Sequence, residues 1–318
     1  MMLTQSLVSF KREFVMSVPK KFAPSARPQA ARPLPPKTSR SSTAKSRERE
    51  SSPSRSSGIS LVSGVVSNQG ERIGVYGSGG IGKTELVASM EKVGIKTLFI
   101  DLDEGTLGLE VNRVADSDGN LISSFEAVRE VLQNKELISQ FDCVVIDTFT
   151  KLEELIGKHV IETVPHEKMG KKIKSLEDYG FGKGLVHVFE KSLLILSDLD
   201  SIARSGKHVV LICHQTAEKV PSAESDDYLE YQPRLQSPSK TAKLRERVFE
   251  WCNHFFRVDH DRYVEDGKVE KSDSRAIHTV RSTTAWAKHR TLGSGREIPD
   301  VIEYKKGSFD LWKVMFGE

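Results

Sequence analysis

The sequence predicts an α/β protein in which a mostly parallel sheet is covered by helices on both faces. From about residue 60 onward, short runs of Val, Ile and Leu alternate with longer amphipathic segments. The apolar runs are continuous rather than interrupted by polar residues, which is typical of parallel strands buried on both faces. A chain of 318 residues that is 37% hydrophobic and 29% charged can bury one sizeable core of this kind.

The predicted elements alternate between strands and helices along the chain. Buried strands are predicted at residues 71–77, 96–103, 141–148 and 207–215. Helices are predicted at 84–94, 124–137 and 185–206, where apolar residues recur at helical spacing. The polar stretch 217–240 is predicted to be a long mobile loop. Antiparallel strands at the C-terminal edge of the sheet are predicted at 255–261, 275–283 and 285–290.

Residues 1–58 differ from the rest of the chain in composition and charge. They hold 12 Lys/Arg and 3 Asp/Glu, a net charge of +9, whereas the other 260 residues carry a net charge of −6. A stretch so rich in Pro, Ser and charge buries too little apolar surface to offset its ordering entropy. We therefore predict a disordered tail, followed by one domain at 59–318. A tail that contacts nucleic acid, an organellar transit peptide, and a start at Met16 remain open.

Two absences in the sequence exclude other classes of protein. No run of about 18 apolar residues occurs, which excludes a membrane-spanning helix. The three cysteines, Cys143, Cys213 and Cys252, lie far apart, which excludes a disulfide scaffold and a cysteine-based zinc site. We expect a protein of a reducing compartment, the cytoplasm.

The junction of the first predicted strand and helix carries the strongest chemical motif. It consists of Gly77, Ser78, Gly79, Gly80, Ile81, Gly82, Lys83 and Thr84. This order matches G-x-x-x-x-G-K-[ST], in which glycines let successive backbone N–H groups point at phosphate oxygens. We expect Lys83 to reach the β- and γ-phosphates of a nucleotide and Thr84 to ligate Mg²⁺.

A carboxylate near the magnesium ion is expected at the end of a second buried strand. Asp147 ends the run Val-Val-Ile-Asp, 64 residues after Lys83, and is predicted to hold a water of the Mg²⁺ shell. The position of Ser78 lacks the second lysine of ParA-like ATPases, and no N-K-x-D motif for guanine occurs. ATP is therefore the expected nucleotide.

The order of these elements resembles the RecA-type core. The likeness is carried by FIDLDEG after the second strand, VVIDTFT at the third and VVLICHQ at the fourth. The resemblance implies that Asp103 or Glu104 orients the attacking water. It also implies that His214 or Gln215 senses the γ-phosphate, with Gln215 the better placed of the two.

A closer resemblance, over about residues 60–295, is to phage and prophage nucleotide-binding proteins of RecA-like fold, some of which are single-strand annealing recombination proteins. The segments that carry it are IGVYGSGGIGKTEL, LFIDLDEGT, CVVIDTFTKLEEL, YGFGKG, HVVLICHQ and AWAKHR. The resemblance implies a Mg²⁺-dependent ATPase that acts on single-stranded DNA in recombination or strand annealing.

Lys288 and Arg290 resemble the K-x-R element that RecA-like hexamers of the DnaB and KaiC kind send into a neighbour's site. An arginine supplied in this way stabilises the charge of the phosphoryl-transfer transition state. The resemblance therefore implies a homo-oligomer, either a ring or a filament, with sites between subunits. The alternative is an exposed basic pair at the end of a strand.

Two loops are the expected path of single-stranded DNA, because RecA-like proteins bind it after the third and fourth strands. Their basic and aromatic residues are Lys168, Lys171, Lys172, Lys174, Tyr179 and Phe181 in 163–184, and Lys219, Arg234, Lys240, Lys243 and Arg245 in 217–245. Basic side chains bind the phosphates along the backbone of single-stranded DNA, and aromatic rings stack on its bases. Against this, Glu224, Asp226 and Asp227 lie in the second loop.

Two other functions remain open from the sequence. One is a regulatory module in which ATP drives assembly without any DNA activity, since G-G-I-G-K-T loops also occur in signalling NTPases. The other is a DnaB-like helicase motor, which would need an additional N-terminal domain where residues 1–58 are predicted to be disordered.

Overall fold

A computed structural model describes residues 69–168, 170, 172–221, 226–238, 240–265, 268–292, 294–305 and 307–317. For the described part of 261–273 it describes the backbone alone. The predicted tail at 1–58, Lys171 and Glu224 lie outside the described residues.

The strands of the described chain form one sheet. They are β1 (Arg72–Gly77), β2 (Thr97–Asp101), β3 (Asn112–Arg113), β4 (Cys143–Asp147), β5 (His208–Val220), β6 (Tyr228–Pro233), β7 (His254–Glu265), β8 (Lys268–His278) and β9 (Val301–Tyr304). Their order is β3-β2-β4-β5-β1-β7-β8-β9, with β6 paired to β5. The neighbours from β3 to β7 are parallel, and β6, β8 and β9 pair antiparallel.

Helices cover both faces of this sheet. They are α1 (Lys83–Ala88), α2 (Phe125–Gln133), α3 (Lys135–Ser139), α4 (Phe149–Thr163), α5 (Lys183–Arg204), α6 (Leu244–Trp251) and α7 (Asp310–Phe316). Short 3₁₀ turns follow α1 at Ser89–Val93 and precede α5 at Leu176–Tyr179. Residues of α2, α4, α5 and α6 form one apolar cluster with the sheet, and residues of α1 and α7 form the other. The predicted fold class is confirmed.

Polar side chains cap the starts of three helices, α2, α3 and α4. The Ser124 hydroxyl accepts a hydrogen bond from the Ala127 N–H (3.1 Å) at the start of α2. Asn134 accepts one from the Leu137 N–H (3.0 Å) and so starts α3, which divides the helix predicted at 124–137. Thr148 caps α4 through the Lys151 N–H (3.0 Å), directly after β4. Strand β4 therefore passes into α4 with a single residue, Thr148, between them.

The predicted loop at 217–240 is in part a β-hairpin. Strand β5 continues to Val220, and β6 pairs with it antiparallel. The pairing runs from Gln215 opposite Pro233 to Val220 opposite Tyr228. An ion pair between Lys219 and Asp227 (2.8 Å) joins the two strands near the tip. The prediction of a long mobile loop was wrong here, because backbone pairing between distant segments can order a polar sequence that carries no apolar run.

The C-terminal edge also differs from the prediction. Strand β7 is parallel to β1 and antiparallel only to β8. The segment predicted as a strand at 285–290 makes isolated bridges instead, including one between Lys288 and Phe255. Ladder formation needs several successive pairs, and this segment instead contacts both β6 and β7.

Candidate nucleotide site

The glycine-rich motif joins β1 to α1 through a tight loop. Gly80 and Gly82 have φ angles of +73° and +94°, which other residues adopt only with strain. Gly77 is needed for a different reason, because a Cβ atom there would lie 2.4 Å from the Val258 carbonyl oxygen. The loop ends where the Leu86 N–H donates to the Gly82 carbonyl (2.9 Å), the first hydrogen bond of α1.

Lys83 is held inside the curve of this loop. Its ammonium donates to the carbonyl oxygens of Ser78 (2.8 Å) and Gly77 (3.2 Å). The side chain is only 6% exposed, and this burial lowers the pKa of Lys83 although nearby Asp147 opposes the shift. Within the described part of the chain the ammonium bonds to two neutral carbonyls, and a buried cation of this kind favours an incoming anion.

Thr84 and Asp147 meet at the carboxyl edge of the sheet. The Thr84 hydroxyl donates to Asp147 Oδ2 (2.7 Å). Burial raises the pKa of Asp147 to about 6, against the hydrogen bond from Thr84, which lowers it. A Cβ atom on Gly105 would lie 3.0 Å from Asp147 Oδ2 and 3.1 Å from Thr84 Oγ1. Gly105 therefore closes over this pair.

Asp101 organises the turn that carries Gly105. Its buried carboxylate accepts hydrogen bonds from the backbone N–H groups of Thr106 (2.9 Å), Asp103 (3.1 Å) and Gly105 (3.1 Å). Asp101 also lies opposite Asp147 in the parallel β2–β4 pair. The sequence reasoning missed Asp101 and Gly105. The signal that could have found them is an aspartate that ends a buried strand four residues before a glycine.

Four residues were predicted to orient the attacking water or to sense the γ-phosphate, and two of them line the cleft beside Lys83, Thr84 and Asp147. His214 Nε2 is 2.9 Å from Asp103 Oδ2, and both side chains line the cleft. Glu104 does not line it, and Gln215 Oε1 accepts from Arg257 Nε (3.5 Å) instead. Successive residues of a strand face opposite sides of a sheet, so β5 can direct only one of His214 and Gln215 into the cleft. The structure favours His214, contrary to expectation.

The resulting cleft has a volume of about 380 Å³. Its lining includes glycines of the phosphate loop, Lys83 and Thr84. The Asp103 and Asp147 carboxylates also line it, and Leu107 and Leu109 add apolar surface. Hydroxyl and carboxylate oxygens are the ligands that Mg²⁺ prefers, so the donor set at Thr84 and Asp147 fits that ion. The cleft is thus suited to a phosphorylated ligand with a hard cation.

Comparison with known proteins identifies the family. A family model described as an AAA domain matches residues 69–291, well over half of the chain. The chain belongs to the AAA domain family. It is therefore a nucleotide-binding ATPase of the P-loop type. No curated protein matches the sequence significantly.

The AAA domain includes Lys288 and Arg290, which lie apart from the cleft. The backbone of Lys288 pairs with that of Phe255 in β7. Phe255 lies three residues before Val258, the residue of β7 that is opposite Gly77 at the start of the phosphate loop. Its ammonium lies over the Phe249 ring, 4.7 Å from the centroid, and burial lowers the pKa of Lys288. Arg290 is exposed and does not line its own cleft.

The residues predicted to contact DNA divide into exposed and internal groups. Tyr179 is buried, and its hydroxyl donates to the Val164 carbonyl (2.6 Å), so its ring is unavailable for stacking on bases. Arg245 is also buried and pairs with Glu218 (2.6 Å). These two assignments were wrong, because both side chains serve the packing of the AAA domain.

Phe181 has the opposite character. It is fully exposed, with a relative accessibility of 104%, and it has a φ angle of +51° between two glycines that also have positive φ. Among the lysines of the same loop, Lys168, Lys172 and Lys174 are exposed. The Phe181 ring therefore adds nothing to the packing of the domain, and its backbone conformation is one that disfavours a side chain.

The AAA domain has no helix suited to crossing a bilayer: throughout the described ranges, every helix is too short or too polar.

Proposed function

We propose that this AAA domain is a magnesium-dependent ATPase of RecA-like type, which assembles into a homo-oligomer and acts on single-stranded DNA in recombination or strand annealing. The observation that carries the ATPase mechanism is the cluster of Lys83, Thr84 and Asp147, with a 2.7 Å hydrogen bond between the last two. The DNA role is supported by the resemblance to phage RecA-like proteins and by exposed Phe181.

Each residue of the cluster has a defined task in this proposal. Lys83 exchanges its two loop carbonyls for the β- and γ-phosphate oxygens. Thr84 and Asp147 would hold the magnesium ion, since their hydroxyl and carboxylate oxygens meet at the edge of the cleft. Magnesium, when bound, neutralises charge on the phosphates. Gly105 keeps room beside this pair, since any side chain there would crowd both oxygens.

The Asp103–His214 pair is proposed to act on the water and the γ-phosphate. Asp103 accepts a proton of the attacking water through its carboxylate, in preference to Glu104, which does not line the cleft. His214 donates a hydrogen bond to a γ-phosphate oxygen. The two side chains are hydrogen-bonded to each other at 2.9 Å, so phosphate binding at His214 would release Asp103 for the water.

Asp147→Asn tests the magnesium assignment. We expect Mg²⁺-dependent ATP hydrolysis to fall by about 10- to 100-fold, as for other outer-shell metal partners, while some nucleotide binding remains. The protein without nucleotide should be at least as stable, because a buried carboxylate facing Asp101 becomes a neutral amide. Asp142→Asn is the control, because this aspartate is exposed and lies directly before β4, at the opposite end of the strand from Asp147. Unchanged hydrolysis in Asp147→Asn would refute the assignment.

The DNA role is tested by binding of labelled single-stranded oligonucleotides at several salt concentrations. We expect tighter binding with a non-hydrolysable ATP analogue than without nucleotide. The double variant Lys172→Ala/Lys174→Ala should flatten the dependence of log K on log salt by about 0.7 for each DNA phosphate that is no longer neutralised. Lys135→Ala/Lys158→Ala, exposed lysines of α3 and α4 outside both loops, should leave that slope unchanged.

Phe181→Ala separates stacking from charge in the same assay. We expect the affinity to fall by about 5- to 150-fold, the range for one stacked base, while the salt dependence stays that of the wild type. DNA binding that is independent of nucleotide, of both lysines and of Phe181 would contradict the proposed path.

A regulatory module without DNA activity is the second candidate. It is favoured by the net charge of −6 outside residues 1–58, which opposes a nucleic-acid partner. ATP-dependent assembly without any DNA binding would support it. A DnaB-like motor would instead unwind a forked duplex.

A further inference from the structure

The chain beyond the AAA match packs directly against the phosphate loop and α1. The match ends at residue 291, whereas β9 and α7 follow it. Leu311, Trp312 and Met315 of α7 are buried in one apolar cluster with Leu86 and Val87 of α1. This C-terminal segment, residues 298–317, therefore covers the outer side of the helix that opens at the nucleotide cleft.

Hydrogen bonds join the two parts as well. The Trp312 indole N–H donates to the Leu86 carbonyl (2.6 Å), and Lys92 donates to the Gly307 carbonyl (2.7 Å). The Tyr304 hydroxyl donates to the Gly82 carbonyl (3.1 Å). Burial raises the pKa of Tyr304 to about 12, so the hydroxyl keeps its proton and remains a donor at neutral pH.

The bond to Gly82 acts on the phosphate cradle through peptide geometry. In a planar trans peptide the C=O of Gly82 and the N–H of Lys83 point in opposite directions. Tyr304 and the Leu86 N–H both bind this carbonyl from the side of α1 and β9. Holding the carbonyl there directs the Lys83 N–H away from the helix, toward the space where phosphate would lie.

Arg275 adds a charge at the same place. It lies opposite Tyr304 in the β8–β9 pair, with its guanidinium 5.8 Å from the Tyr304 ring centroid. A Cβ atom on Gly82 would lie only 2.5 Å from one guanidinium nitrogen of Arg275. That nitrogen is buried and makes no hydrogen bond among the described residues, although the guanidinium as a whole interacts with the Tyr304 hydroxyl and lowers its pKa against the effect of burial. Such a donor is costly unless a nearby anion makes use of its charge.

We propose that Tyr304 is a positioning residue for the phosphate loop, which it holds through the Gly82 carbonyl, and that Arg275 beside it contributes positive potential to the same loop. The C-terminal segment is then part of the nucleotide site, although it lies outside the AAA match. This inference rests on the proposal that the loop around Lys83 binds the phosphates of ATP.

Tyr304→Phe removes only the hydroxyl that contacts Gly82. We expect the Kd for a non-hydrolysable ATP analogue, measured by calorimetry, to rise about three- to tenfold, the effect of one neutral hydrogen bond. Tyr179→Phe is the matched control, because that buried hydroxyl also donates to backbone carbonyls (2.9 and 2.6 Å), on the other face of the sheet. It should leave the Kd within twofold of the wild-type value.

Two further readouts separate positioning from general stability. Arg275→Gln should weaken binding of the ATP analogue more than binding of ADP, because the analogue carries one more negatively charged phosphate for the arginine to attract. Arg275→Lys keeps the positive charge and should retain most of the wild-type affinity. By reciprocity, nucleotide should slow amide exchange in residues 310–316 of the wild type, and less so in Tyr304→Phe.

The outcomes distinguish this inference from the function on which it rests. If the wild type binds ATP, Lys83→Ala does not and Tyr304→Phe binds as tightly as the wild type, the role of Tyr304 is refuted alone. If the wild type binds no nucleotide, the proposed function fails and this inference fails with it.

Discussion

Lys83→Ala is expected to abolish productive ATP binding and hydrolysis while the protein stays folded. The ammonium would face two phosphates, and losing two charged hydrogen bonds of this kind costs about 10²- to 10⁴-fold in affinity and kcat/KM. The fold should survive, because among the described residues Lys83 hydrogen-bonds to carbonyls of its own loop and its buried charge opposes folding.

Three measurements check this result: calorimetric titration with an ATP analogue, phosphate release, and thermal unfolding by circular dichroism. Lys96→Ala is the control, because this lysine is exposed, lies 4.8 Å from the Phe141 ring centroid and does not line the cleft. Equal ATPase activity in the two variants would refute the assignment of the site.

Arg290→Ala is expected to lower ATP hydrolysis by about 10³- to 10⁵-fold, the range for a transition-state arginine supplied by a neighbour. Binding of the ATP analogue should change little, because Arg290 does not line its own cleft. Backbone pairing puts Lys288 opposite Phe255, about 10 Å along β7 from the level of Gly77. Arg290, two residues further on, is exposed and does not line its own cleft, which leaves it free to act in the cleft of a neighbouring subunit. Exposed Arg296 provides the control, as Arg296→Ala.

Mixing tests whether the arginine acts between subunits. Arg290→Ala protein keeps an intact phosphate loop, and Lys83→Ala protein keeps an intact arginine. In an equimolar co-assembly about a quarter of the interfaces would combine the two intact parts, so part of the activity should return. Absence of rescue in subunits shown to co-assemble would argue against a role in trans.

Sequence patterns predicted the structure correctly wherever the residues of a short stretch of chain determine its conformation. The buried strands ending at Gly77 and Asp147 are recognisable because continuous Val and Ile runs are stable only inside a covered sheet. The phosphate loop is recognisable because its glycines occupy backbone conformations that other residues avoid. Asn134, by contrast, ends a helix that periodicity alone would have continued.

Local patterns were insufficient wherever a residue takes its role from a partner far along the chain. The polar strands around Lys219 and Tyr231 look like a loop because their order comes from mutual backbone pairing. The choice of His214 over Gln215 depends on which face of β5 turns to the cleft, and a polar strand end does not reveal that face. Tyr179 has the residue type of a stacking side chain, but its hydroxyl is bonded inside the fold.

The fold class, the phosphate loop and the strand that ends in Asp147 were predictable from residue types along short stretches of chain. The sequence also placed Thr84 and Asp147 at one site, and the folded protein brings the two side chains within 2.7 Å of each other. The pairing of Asp103 with His214, and the contact between Tyr304 and Gly82, 222 residues away, became visible only in the folded protein. The physical reason is that hydrogen bonds act over about 3 Å, and the sheet order alone brings such distant side chains within that distance.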